Sequence, residues 1–228
     1  MRRKLRLVIL IAGLGVASIA TVPAIAATTA KPAAAGPSAS QLLARASKGC
    51  TKVSKGNYKS DDETSANISI CKAGSAFVWK ADMDVDCDGI TTKNCNKNTD
   101  CCYQNQTSFE TSKGKPFQAD LTHYFVIPLP SSRFSYSKSG IRPGTTAAII
   151  YNNRVVYAVF ADEGPNDIIG EASFATAKAL GINPNPKNGG VDSGVTYIVF
   201  PNSVPSPVES NSAIDAKGAA AANAFVKS

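Results

Sequence analysis

Two apolar runs rich in β-branched residues, 146–151 and 154–160, flank Asn152-Asn153. Asparagine tolerates positive φ, so the pair specifies a tight two-residue hairpin. A hairpin cannot bury its apolar side alone and needs further strands. Three more segments read that way. Residues 76–85 pass from an apolar run into alternation, 123–128 form a buried strand ended by Pro128, and 194–200 form a last strand. Helices are few and short: 40–46 with a serine cap, 172–180 closed by Gly181, and an Ala-rich stretch over 211–226. The expected fold is mainly β (α+β), a barrel-like domain with a few short helices.

The N-terminus points to export. Arg2, Arg3, Lys4 and Arg6 precede an apolar run from Leu7 to about Ala20, and small residues follow up to Ala26. This is the pattern of a cleaved signal peptide over 1–26, and the run is too short to span a bilayer. Losing its four basic residues takes the formal charge from +7 to +3, which gives no reason to invoke nucleic acid. A secreted, extracellular protein with no membrane contact after cleavage is expected, acting as a monomer. Residues 27–39, rich in Ala, Thr, Pro and Ser, read as a flexible leader. Residues 40–201 make one domain of ordinary size, and 202–228 form an Ala-rich tail expected to be helical.

All six cysteines, Cys50, Cys71, Cys87, Cys95, Cys101 and Cys102, lie in the N-terminal half of the exported chain. An even count outside the cell predicts three disulfides, with fifteen possible connectivities. Cys50 and Cys71 would staple the polar segment between them. Cys101 and Cys102 are expected to find different partners, because a bond between neighbours is strained. Zinc is disfavoured: no CxxC spacing occurs, and His123 is the sole histidine. That single histidine, with no serine in a nucleophile-elbow motif, also argues against a Ser-His-Asp hydrolase. No cofactor or metal is expected.

The most informative stretch runs from Val156 to Ser173. A strand delivers Asp162 to its end, a Gly164-Pro165 turn follows, and Glu171 comes after Gly170, read as the first turn of a helix. Two carboxylates fixed at the ends of rigid elements suit acid–base chemistry, as glycoside hydrolysis requires. Either is equally ordinary elsewhere, Asp as a turn former and Glu as partner of a helix dipole. Spacing alone does not choose among Asp162, Glu163 and Asp167.

At these residues the chain resembles the fungal-type chitosanases of glycoside hydrolase family 75. The likeness runs from about Cys50 to Phe200. It includes 81–89 (Ala81, Asp82, Met83, Asp84, Val85, Asp86, Cys87, Asp88, Gly89), Gln106-Thr107-Ser108, 140–144, Phe160-Ala161-Asp162, Gly170-Glu171-Ala172-Ser173, Gly189-Gly190-Val191 and 194–200. The resemblance implies Asp162 and Glu171 as the catalytic pair of an inverting, endo-acting enzyme that cuts chitosan. More distantly, Asp162–Pro165 followed by 172–182 resembles the signature of six-stranded double-psi β-barrels. Septal lytic transglycosylases, expansins and family 45 endoglucanases share that barrel. By that analogy Glu171 is the general acid and Asp162 the general base. For inversion their carboxyl groups should stand about 6.5–9.5 Å apart, leaving room for a water.

Asp82, Asp84, Asp86 and Asp88 alternate, so on a strand all four point to one face. Like charges on one face repel unless something cationic meets them. The amines of chitosan would, so Asp82, Asp84 and Asp86 are predicted to bind substrate, with Asp120, Thr107 and Ser108 as further cleft candidates. A calcium loop is the rival, since Asp84, Asp86, Asp88 and Gly89 match the start of an EF-hand loop, but its twelfth position is Cys95. Trp79, Tyr103 and Tyr124 have the chemistry to stack on sugars, although aromatic residues in strands usually build core. Two other functions fit the same barrel: a peptidoglycan-active lytic enzyme and a non-catalytic, expansin-like polysaccharide-binding module.

Overall fold

A computed structural model describes residues 36–228. The expected signal peptide and most of the expected leader lie outside the described residues. Helix α1 (Ala39–Ser47) comes first. Its cap is Ser38 rather than the expected Ser40. Ser38 Oγ accepts from the Gln41 amide, and the Gln41 side chain accepts from the Ser38 amide in return, a complete capping box.

The strands are β1 (Thr51–Lys52), β2 (Cys71–Ala73), β3 (Ala76–Asp86), β4 (Tyr124–Pro128), β5 (Thr146–Tyr151), β6 (Arg154–Gly164), β7 (Glu171–Ser173) and β8 (Val191–Val199). Six of them close a ring in the order β3-β7-β4-β6-β5-β8, and β8 pairs back onto β3. The barrel-like domain expected from the sequence is therefore a closed barrel with no free edge within the ring. It is mixed: β3–β7 and β4–β6 are parallel, the other ring contacts antiparallel. The hairpin forms as expected, with Tyr151 opposite Arg154 and positive φ at Asn152 and Asn153.

Alternation sorts the side chains. Phe77, Trp79, Ala81, Met83, Phe125, Ile127, Ala147, Ile149, Ala158, Phe160, Ala172, Val195, Tyr197 and Val199 fill the inside of the ring. Val78, Tyr124, Val126, Ala148, Ile150, Val159 and Ile198 face outward. Helix α3 (Asn211–Lys227) covers part of that outer layer through Ile214, Ala219, Ala222 and Phe225. Gly218 lets it approach: a Cβ there would fall 2.5 Å from the Tyr157 ring. Helix α2 (Phe174–Leu180) is capped by the Ser173 side chain and ends at Gly181 in the left-handed region.

Two disulfides form, Cys50–Cys71 and Cys87–Cys95. The third expected disulfide is corrected by the structure. Cys101 and Cys102 are free, exposed neighbours with sulfurs 3.0 Å apart, because all four other sulfurs are already paired.

Candidate active site

The position of Asp162 depends on a bulge. On β6, Val159 and Ala161 face out and Phe160 faces in, so plain alternation would send Asp162 into the barrel. The pairing with β4 slips instead: Phe125 lies opposite Phe160, but Val126 lies opposite Asp162. Ala161 is the extra residue, and its carbonyl accepts from the Phe109 amide at 3.2 Å. The slip turns Asp162 onto the outer face beside Val126.

Asp162 is buried there and well supplied with donors. Its Oδ1 accepts from the Ser108 amide (2.9 Å), the Ser108 hydroxyl (2.5 Å) and the Glu163 amide (2.8 Å). Its Oδ2 is buried with no hydrogen-bond partner among the described residues. Burial raises its pKa, while the bonds from Ser108 and Glu163 pull the other way.

Glu171 arrives from β7, on the other side of β4 from β6. It opens β7 and does not sit in the expected first helical turn, because the helix cap is two residues later, at Ser173. With Ala172 pointing inward, Glu171 points out, level with Asp84 on β3. Its carboxyl extends toward the end of β6, where a Cβ on Gly164 would lie 3.4 Å from Glu171 Oε2. Burial, reinforced by Asp84 and Asp162, pushes its pKa up to about 8. A half-buried glutamic acid that keeps its proton at neutral pH is a competent general acid.

Both carboxyls line one cleft of about 480 Å³, with Asp86, Asp88, Asp100, Glu163, Gln104 and Pro186 among its walls. Carboxyl oxygens of Asp86, Asp88 and Asp162 all lie within 4.8 Å of one another. Burial, then Glu171 and Asp162, holds Asp86 well above the usual range. Burial pushes Asp88 up to about 7. Crowded carboxyls of this kind hold protons or a cation. Asp100 with the thiols of Cys101 and Cys102 is a second set with metal-ligating atoms.

The remaining sequence-predicted residues fall in several places. Asp82, Asp84 and Asp86 share the outer face of β3, as alternation required. Asp84 is exposed, but Asp82 lies buried under Gly170. Ser108 holds Asp162. Thr107 is buried, its hydroxyl spent on the Phe109 carbonyl and the Phe117 amide. Asp120 does not line the cleft and is bound by Thr92, Asn94 and Gln118. Trp79 and Tyr124 are core. Sequence reasoning missed Asp100 and Gln104. The signal available was the run of polar residues around the Cys101-Cys102 pair, which the backbone bond from Gln104 to Asp88 Oδ1 (2.6 Å) brings to the cleft.

Comparison with known proteins identifies the family. The profile of the fungal chitosanases of glycosyl hydrolase group 75 matches residues 83–228. Endo-chitosanase C of Aspergillus oryzae is 31% identical over 133 residues, covering 56% of this chain and 32% of that protein. Endo-chitosanase B of A. oryzae is 29% identical over 126 residues, 52% of each chain. An endo-chitosanase of Aspergillus fumigatus is 27% identical over 141 residues, 56% of this chain and 59% of its own. The matches thus span from about a third to three fifths of these relatives' lengths. Among solved structures, the Streptomyces papain inhibitor aligns at 16% identity and a TM-score of 0.32, over 54% of this chain and 94% of its own, too weak a likeness to bear on the fold. With the profile matched over most of the chain, this protein belongs to glycoside hydrolase family 75, the fungal-type chitosanases.

Proposed function

We propose that the chain is an exported, endo-acting glycoside hydrolase that cuts β-1,4 bonds between glucosamine units of chitosan, with inversion. One observation carries the reading. A carboxyl pushed up to about 8 (Glu171) and a carboxyl held by three donors (Asp162) face the same cleft from different strands. The two environments differ in the sense that acid and base require.

Glu171 gives its proton to the glycosidic oxygen as the bond to the anomeric carbon breaks. Asp162 takes a proton from a water that attacks that carbon from the opposite face. The sugar leaves with its configuration inverted, Glu171 ionised and Asp162 protonated. A proton exchanged with solvent resets both. Asp86, Asp88 and Asp100 give the cleft the sign that suits a polyammonium chain. A bound ammonium replaces the protons that these crowded carboxyls otherwise need. Export is supported by the N-terminal pattern and two disulfides, and among the described residues no helix is long and apolar enough to cross a membrane.

The test is release of new reducing ends from soluble, highly deacetylated chitosan. Glu171→Gln should lower the rate by roughly 10²–10⁴-fold with an unchanged circular-dichroism spectrum. Full activity in that variant would remove Glu171 from the mechanism. A wild type that leaves chitosan untouched but releases fragments from peptidoglycan would replace the substrate.

A further inference from the structure

The acidic cleft does not end at its own walls. Pro186 is shared with a second groove of about 450 Å³, whose lining includes Lys93, Lys187, Asn94, Asn183, Asn185 and Phe174. The charge changes sign across that shared residue. Six carboxyls and no Lys or Arg line the cleft, whereas two lysines and no Asp or Glu line the groove.

The groove is equipped for a neutral, amide-bearing sugar. Among the described residues neither lysine is in an ion pair. The side-chain oxygens of Asn183 and Asn185 cap the backbone amides of Asn185 and Lys187. This fixes both side chains, and among the described residues their Nδ2 groups have no hydrogen-bond partner. Half-buried Phe174, at the start of α2, adds an apolar surface next to these donors. Burial would raise Asp120, behind Asn94, but its bonds from Gln118, Thr92 and Asn94 outweigh this and keep it ionised with its acceptors occupied.

A protonated glucosamine unit here would meet two ammonium groups. An N-acetylglucosamine unit carries no charge, offers a carbonyl to the asparagine and lysine donors, and presents a methyl group to the phenyl ring. Resting on the chitosanase reading above, we propose that this groove is an acetyl-accepting subsite. It would bind N-acetylglucosamine at a fixed distance from the scissile bond while the acidic cleft binds glucosamine. The enzyme would then prefer partially acetylated chitosan, read in one register, over the fully deacetylated polymer that it also cuts.

The test compares fully deacetylated with partially acetylated chitosan, sequencing the product ends by mass spectrometry. Wild type should enrich N-acetylglucosamine at one fixed position relative to the cut. Lys93→Glu combined with Lys187→Glu should abolish that enrichment. It should also shift the rate ratio toward the fully deacetylated polymer by about fivefold or more. Both lysines are exposed, and an unchanged thermal melt verifies the variant's fold. Acetyl units placed at random in the products of the partially acetylated polymer, or an unmoved rate ratio in the variant, would overturn the subsite alone. Cleavage of neither polymer by wild type would overturn the chitosanase reading itself, and the subsite with it.

Discussion

Ser108 donates twice to a single oxygen of Asp162, from its amide at 2.9 Å and from its hydroxyl at 2.5 Å. The hydroxyl also accepts from the Glu163 amide at 3.1 Å. Ser108 thus stabilises the ionised form of the carboxylate assigned as base. Ser108→Ala keeps the amide donor and loses the hydroxyl, so the pKa of Asp162 must rise. In a pH–rate profile the acidic limb should move to higher pH by about one to two units, since a hydrogen bond to a charged group contributes roughly 1.5–3 kcal/mol. An acidic limb left in place would separate Ser108 from the titration of the base.

The free thiols give a second expectation. Without reductant, two thiols should react with a disulfide reagent, and the other four only after reduction. The thiol of Cys101 beside it pushes Cys102 up to about 11 through a hydrogen bond and charge repulsion. Alkylation of Cys102 at neutral pH should therefore be slow and keep accelerating toward pH 11, because the thiolate is the reactive form. A count of zero free thiols in the isolated protein would show that the neighbours pair with each other.

Much of this was legible in the sequence because the signals are local. Asn152-Asn153 between β-branched runs specified the hairpin, and alternation placed Asp82, Asp84 and Asp86 on one face. The missed features come from contacts between distant residues. Nothing near Asp162 marks Ala161 as a bulge. That slip exists because β4 pairs with β6 across 34 residues, and it alone decides which face Asp162 takes. Ring closure by β3 and β8 is also non-local. The cap at Ser38 was readable, since Gln41 three residues on completes a capping box, but Ser40 sat nearer the apolar run. Glu171 was assigned to a helix because Ala172–Leu180 has helical composition. Parallel pairing with β3 claims its first residues instead.

Asp82 should make stability fall as pH rises. It is 6% exposed, its Oδ1 has no hydrogen-bond partner among the described residues, and burial with Asp84 nearby pushes its pKa to about 8. The folded pKa lies above the unfolded value of about 3.9, so folding is unhindered below pH 4. The stability is then lost progressively as pH rises toward 8, where the unfolded chain is ionised and the folded carboxyl resists ionisation. Asp82→Asn mimics the neutral acid. It should stabilise the protein by about 2 kcal/mol or more at pH 8 and have little effect at pH 4, measured by urea unfolding at both. Equal effects at the two pH values would mean that Asp82 does not titrate over this range.

Asp82 also explains why glycine precedes Glu171. Gly170 has φ +127, and a Cβ there would fall 2.0 Å from Asp82 Oδ1 and 3.0 Å from Ala81 Cβ. Gly170→Ala therefore faces both a strained backbone and a clash beneath it. It should cost at least about 3 kcal/mol of stability and lower activity further by displacing Glu171. Combining it with Asp82→Ala removes the clash with the carboxyl but leaves the strained φ. The double variant should recover part of the stability lost in Gly170→Ala, and the part not recovered contains the backbone strain together with the remaining contact with Ala81. A Gly170→Ala protein with a wild-type urea midpoint would mean that β7 can move off β3, and that the position of Glu171 is not set by this contact.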